Sequence, residues 1–424
     1  MKIKTTSVTS LGVLILVVLV CFLSPLQQVL SQNSISICYI SGILLLVLEL
    51  LGNKKKLKKV LTGKNAIIYL IFVLFSCCYF FNNQYWRHNN LGYFMIGTAA
   101  IFILLILSCQ RAWIKTAFVW IKRTAFIHVV ATFFFFAFPA LWSKYAYPIF
   151  GTYIPGTGGG TKGYTAGLNG HYSTNATLVT IAALCTMISL LCSGEKERKK
   201  HIRLLMVEII AILLTQKRAH ILFFALTFVM VYTFYNWKRG ALKTMFKLIG
   251  VCVVGWFAVE FIIAYIPMLG QTFARFQTVG KDAQTLTRFT MWQYAWDLFK
   301  KNKILGVGWG GYRYLFENLN MFEGAANAHN IYIQLLAETG IIGFCCFMGI
   351  AIIGVTFAIK GLLIASKAND QQVKKEYLYA ATFQIFMLLY GLTGNVIYDF
   401  CFVYYAFSVA ASVGLMAYRR KEKK

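Results

Sequence analysis

Runs of apolar residues about one membrane thickness long, separated by short basic or polar segments, follow one another along almost the whole chain. A helix needs roughly 20 apolar residues to cross a hydrocarbon core of about 30 Å. That ruler predicts twelve spans, centred near residues 18, 43, 74, 99, 133, 183, 209, 228, 258, 345, 385 and 408. The expected fold is an all-α integral membrane protein, with residues 1–424 forming a single polytopic membrane domain. The start, "MKIKTTSVTSLGVLILVVLVCFL", has the charged head and apolar body of a signal peptide. It lacks an evident small-residue cleavage site, so it reads as the first helix.

The polar segments set the orientation, because cytoplasmic loops carry the excess of Lys and Arg. "NKKKLKK" (53–59), "RAWIKTAFVWIKR" (111–123), "EKERKKHIR" (195–203), "WKRGALKTMFK" (237–247), "KANDQQVKKE" (367–376) and "RRKEKK" (419–424) all fall on one side if both termini are cytoplasmic. Two segments on the other side are too long to be turns. One, 143–174, is rich in Gly and Tyr. The other, 269–330, between spans nine and ten, is expected to hold short helices.

Composition agrees with this picture: 58% of residues are hydrophobic and 13% charged, outside the range of ordinary soluble domains. The net charge of +28 would suggest nucleic acid in a soluble protein, but here it is explained by the loop bias, and no nucleic-acid partner is expected. Eleven cysteines lie mostly inside apolar runs without CxxC spacing, so they read as small hydrophobes.

Against this background a few polar residues stand out. From Arg203 to Arg218 the chain rises only about 22 Å as a helix, short of the core thickness. Arg218 should therefore lie below the outer surface, and "TQKRAH" should form a tight hairpin presenting Lys217, Arg218 and His220. Charge at that depth is costly and points to function, although Lys217 could snorkel and His220 reads more readily as an interfacial histidine. In "AHNIYIQLLAETGIIGF" (328–344), Asn330, Gln334 and Glu338 share one helix face at i, i+4, i+8 spacing, while His329 points elsewhere at the outer mouth. Glu338 is expected near mid-membrane, tying helices together. A neutral imidazole such as that of His329 can accept a proton from a hydroxyl, although a lone histidine at a helix start is more often a cap.

Phe289, Trp292, Trp296, Leu298 and Phe299 suggest an amphipathic helix with Arg288 at its head, ended by Gly306, Gly308, Gly310 and Gly311. Most outer aromatics read as an interfacial belt; Trp309 and Tyr312, in the glycine turn, are expected to line a groove. Paired acids that could hold a metal are absent on the outer side, so a phosphate leaving group would rely on arginines.

Three stretches together resemble the O-antigen ligases and the O-antigen and capsule polymerases. "LLTQKRAHILFF" (213–224) is similar to the family's arginine at the end of a short span. "TRFTMWQYAWDLFKKNKILGVGWGGY" (287–312) is similar to its R-x3-W-x2-A segment running into a G-x-G-x-G turn, and "AHNIYIQLLAETGIIG" (328–343) to its H-N-x-Y-x-x-L-x-E-x-G-x-x-G signature. Lys303 replaces a common proline, and Gln216-Lys217 replaces a small residue and serine.

The resemblance implies a metal-independent, cofactor-free glycosyltransferase in the bacterial cytoplasmic membrane. It would move a glycan from undecaprenyl diphosphate to an acceptor glycan hydroxyl on the outer face. Carried onto this chain, Arg218 and Arg288 would bind the diphosphate; Lys217, Asn330, Trp309 and Tyr312 are further candidate substrate contacts of this sequence. His329 would deprotonate the acceptor, and Asp399, in the outer turn "GNVIYDF", would orient His329 or an arginine. Implied partners are the lipid-linked glycan, membrane lipid, a flippase and a chain-length regulator. Thirty Lys against twelve Arg suggest an AT-rich genome and favour a polymerase over a ligase acting on lipid A core. A transporter is the alternative of another class.

Overall fold

The computed structural model describes residues 5–23, 30–52, 66–78, 111–146, 166–169, 172–237, 283–319, 327–365, 370–398 and 401–422, with scattered positions at 26, 98–108 and 240–265. The main helices are α1 (Thr5–Cys21), α2 (Gln32–Gly52), α3 (Ala66–Cys77), α4 (Ala112–Ala137), α5 (Tyr172–Cys192), α6 (Glu195–Leu214), α7 (Arg218–Asn236), α8 (Ala283–Lys301), α9 (Gly311–Glu317), α10 (Ile331–Ala365), α11 (Gln371–Tyr390) and α12 (Phe402–Glu422). Helices stand at ten of the twelve predicted span centres; the other two, near 99 and 258, fall among the scattered positions. Four of these helices, α4, α5, α7 and α10, are long and apolar enough to cross a membrane by themselves.

α4 starts about ten residues before its predicted span and takes in the basic segment 111–123. The cause is amphipathicity: Trp113, Ile114, Ala117 and Ile121 are buried, while Lys115 and Arg123 face outward on the same helix. Basic side chains at that end therefore belong to a helix and not to a loop.

The chain divides into two compact units. The first holds residues 1–49, 112–278 and 359–382. Within it α5 is central, packed on α4, α6 and α7, while α1 packs on α4. α5 is apolar nearly all round, which is what a helix surrounded by others requires, and 89% of its most apolar window is buried.

The second unit holds residues 50–111, 279–358 and 383–424. Here α10 is not one rod. At Gly340 the backbone turns to φ 60°, ψ −164°, so a nine-residue segment, 331–339, precedes the long apolar run. The break exposes backbone groups that segment 303–308 takes up: Val307 N–H donates to Ala337 O, Gly308 N–H to Glu338 O, Ile341 N–H to Lys303 O and Ile342 N–H to Ile304 O. The helix runs through Glu338, so Asn330, Gln334 and Glu338 keep the shared face their spacing predicts; the span centred near 345 is interrupted at Gly340, where the glycine turn satisfies the freed groups.

This pairing needs two bare backbones. A Cβ on Gly340 would lie 2.2 Å from Ile304 O, and one on Gly306, at φ 69°, would lie 2.3 Å from the Glu338 carbonyl carbon. Gly340→Ala is therefore expected to cost about 1–3 kcal/mol from backbone strain alone, with the clash adding to it. Melting of the detergent-purified protein checks this; an unchanged transition would mean that the pairing is not needed for stability.

Candidate functional site

His329 stands immediately before α10, at a backbone φ of 53°. Among the described residues only it and Gln216 are non-glycine residues with positive φ. Side chains adopt this region at a cost, so the surroundings must impose it. The restraints are visible. Asn330 Oδ1 accepts from the backbone N–H groups of Tyr332 and Ile333 at 3.0 and 3.2 Å, making Asn330 the N-cap of the helix. Ile331 N–H donates to Gly391 O, Tyr332 Oη to Leu388 O at 2.7 Å, and Ala328 N–H to Gln334 Oε1 at 2.9 Å. His329 itself is half-buried, with its Nδ1 3.4 Å from Asn395 Nδ2.

The face that carries Asn330, Gln334 and Glu338 turns inward. Glu338 is fully buried and gathers donors: Tyr398 Oη at 2.7 Å on one oxygen, Gln334 Nε2 at 3.2 Å on the other, and the backbone N–H groups of Gly310 and Tyr312. Gln334 Nε2 also donates to Asn327 Oδ1. Glu338 thus fastens the glycine turn to the His329 segment, so the tie it makes is to a turn as well as to helices.

α8 supplies the arginine. Met291, Ala295 and Leu298, at i, i+4, i+7, are the face packed with Val307, Tyr312, Phe316, Ala328 and Ala337, whereas Phe289 and Trp296 are exposed. Of the predicted apolar set, Leu298 and Trp292 pack inward while Phe289 and Trp296 are exposed, and Met291 and Ala295 complete the packing face. Arg288 is half-buried, in the second turn of α8 and not at its head. One turn on, Trp292 donates its indole N–H to Ala328 O at 2.8 Å. Residues at i and i+4 are neighbours, so the R-x3-W spacing sets Arg288 one turn before the tryptophan that bonds Ala328.

The glycine-turn aromatics are not groove residues. Tyr312 is 0% exposed and donates to Met291 O at 3.2 Å; burial, with the Glu338 charge next, pushes its phenol far above the usual range. Trp309 is buried and edge-on to Phe75, with Tyr398 alongside. The positive-φ glycines turn these two side chains inward, into the packing that holds the turn.

In the first unit the predicted hairpin is present. Thr215 and Gln216 form the turn, Lys217 is the N-cap position and Arg218 begins α7. The Lys217 ammonium lies 4.1 Å from the centre of the Tyr172 ring. His220 is buried within the protein, its Nε2 2.9 Å from Thr177 Oγ1. Arg218 is half-buried. The start of α5 is pinned by a network: Asn175 Nδ2 donates to Thr132 Oγ1 at 2.8 Å, Asn169 Nδ2 lies 3.2 Å from His128 Nδ1, and Trp142 Nε1 donates to Gly167 O. Asp399 lies outside the described residues, so its place is not given.

Two polar residues escaped the sequence reading. Asn395 lies four residues before Asp399 in the same outer turn, and only its approach to His329 singles it out. Glu208, buried in α6 and accepting from Thr186 Oγ1 at 2.9 Å, could have been found as a lone acid inside an apolar run. Among the described residues no three His, Cys, Asp or Glu gather as a metal site would need.

Compared with known families, residues 202–348 match the one described as O-antigen ligase. The match takes in Lys217, Arg218, Arg288, Trp309, Tyr312, His329 and Asn330. No curated protein matches the chain.

Proposed function

We propose that this chain, a membrane protein of the O-antigen ligase and polymerase family through residues 202–348, is a polysaccharide polymerase. The acceptor hydroxyl of one lipid-linked repeat attacks the anomeric carbon of a glycan carried on undecaprenyl diphosphate. The new glycosidic C–O bond forms as the bond to the diphosphate breaks. The hydroxyl proton passes to His329, and the bonding electron pair leaves with the diphosphate. Arg288 and Arg218 would stabilise the charge that grows on that leaving group, Arg288 from α8 and Arg218 from its own hairpin. The reaction would take place at the outer face of the cytoplasmic membrane, with nucleotide sugar and metal playing no part.

The observation that carries this reading is the position of the backbone strain. Among the described residues, the two non-glycine residues with left-handed backbones are His329 and Gln216, the latter two residues before Arg218. Strain persists where surrounding structure imposes it, and it concentrates at functional sites.

The test is a ladder assay. Membranes carrying the protein, supplied with lipid-linked repeats and devoid of the host's own ligase, should yield a series of longer chains; unextended repeats would sink the polymerase reading. Arg288→Ala and Arg218→Ala should each lower product formation about 10²–10³-fold, as loss of a charge-stabilising donor does elsewhere. Arg288→Lys should recover only part, because an ammonium cannot grip two oxygens as a planar guanidinium does. Ladders of ordinary length from both alanine variants would instead favour a transport role.

A further inference from the structure

At the end of the first unit where α5 stops and α6 and α11 begin, α4, α5, α6 and α11 border an open cavity of about 410 Å³, with the outward-facing Arg123 at its rim. Its polar lining is Lys122, Arg123, His201, Lys375 and Ser189, and no carboxylate lines it. Lys122 donates to Ser189 Oγ at 3.0 Å; Glu208, on α6 outside the lining, is near enough to favour its charge, while Lys375 and Lys200 repel it. Among the described residues no Asp or Glu makes an ion pair with Lys122, Arg123 or Lys375. Burial and the neighbouring Lys122 charge hold the His201 imidazole below its usual range, and its buried Nδ1 has no hydrogen-bond partner. Three cations and an open imidazole nitrogen thus face one cavity whose lining holds no acidic side chain.

The rest of the lining says what kind. Phe118, Lys122 and Phe126 lie at i, i+4, i+8 along α4 and all face the cavity. The same step continues beyond it through the exposed Val130, Phe134 and Phe138, a slowly turning apolar stripe. From Lys122 to Phe138 the rise is about 24 Å, comparable to an extended acyl chain.

We propose that this cavity is a binding site for an anionic phospholipid, its phosphate held by Lys122, Arg123 and Lys375 and one acyl chain lying along the α4 stripe. Basic pockets between helices at the cytoplasmic end of membrane proteins take such headgroups, and the loop charges make this the cytoplasmic end. The site is distinct from the Arg218 hairpin, since His201 and Leu214 are about 20 Å apart along α6. It stands whether or not the transfer reaction proposed above is correct.

Native mass spectrometry of the full-length protein tests it, with phosphatidylglycerol and phosphatidylcholine offered separately to delipidated samples. Wild type should retain phosphatidylglycerol in preference, and Arg123→Gln combined with Lys375→Gln should weaken that retention about twentyfold, roughly fivefold per charge removed. The same loss of charge at Lys196→Gln with Lys199→Gln, on the exposed first turn of α6, should change it less than about twofold. Val130→Gln with Phe134→Gln, which leaves the cations intact, should weaken the long-chain lipid but not glycerol phosphate.

Equal loss in both charge-removed proteins would reduce the effect to general surface attraction and overturn the site. Undiminished retention in the Arg123/Lys375 protein would overturn it as well. Displacement of the lipid by millimolar inorganic phosphate would make free phosphate the ligand and overturn the lipid assignment.

Discussion

His329→Gln is expected to lower chain elongation by about 10²–10⁴-fold, the usual worth of a positioned acid or base, while the protein still reaches the membrane and melts as wild type. Glutamine can occupy the space but cannot take up a proton. The structure adds a condition. For Nε2 to accept the proton, Nδ1 must carry the other one and donate it, so the Asn395 amide 3.4 Å away must present its oxygen. That oxygen is buried and otherwise without a partner, so turning the amide over gains a hydrogen bond.

Asn395 is thus a positioning residue. Asn395→Leu should lower kcat with little change in KM, and Asn395→Asp, whose carboxylate can accept from Nδ1, should restore much of it. Full activity in His329→Gln would remove the base from the mechanism. A change confined to KM in Asn395→Leu would reassign that residue to substrate binding.

The second large effect is on stability. Glu338→Ala removes the acceptor of Tyr398 Oη, Gln334 Nε2 and the N–H groups of Gly310 and Tyr312 without removing any donor. A buried donor left unmade costs about 1–3 kcal/mol, so the loss should reach roughly 4 kcal/mol or more even if some donors find water. Most of the protein should fail to accumulate, and what is purified should melt several degrees lower. Glu338→Gln, which keeps one acceptor oxygen, should fall between. Activity should fall with stability, because Gln334 links Glu338 to the backbone just before His329. A Glu338→Ala protein of normal stability and low activity would point to a direct chemical role instead.

Much of the site was legible in the sequence because the chemistry there is out of place. Arg218 after a short span, a histidine and asparagine at the start of an apolar run, and glycines at alternating positions are signals that need no tertiary information. The hairpin at 215–218 followed from a length argument, and helix caps such as Asn330 are local. What misled was the reach of a helical ruler. Spacing gave one uninterrupted span centred near 345, because nothing in the alternation of apolar and polar residues marks Gly340 as a break. Likewise the apolar spacing of α8 left open whether Phe289 and Trp296 lie on the membrane or pack on the bundle, since size and hydrophobicity do not say which apolar side a helix turns inward when the other side can meet lipid.

The sequence by itself determined an all-helical membrane protein, with helices at ten predicted centres. Those properties are sums over many residues, and hydropathy and charge are counted without knowing who touches whom. Tertiary structure alone decided that segment 303–308 satisfies the backbone freed at Gly340, and that Glu338 gathers four donors. It also decided that Tyr312 and Trp309 are buried, and that Asn395 meets His329. Each of these joins residues tens of positions apart through single hydrogen bonds or a missing Cβ, and the cost of an unmade bond or a clash depends on the partner that folding brings.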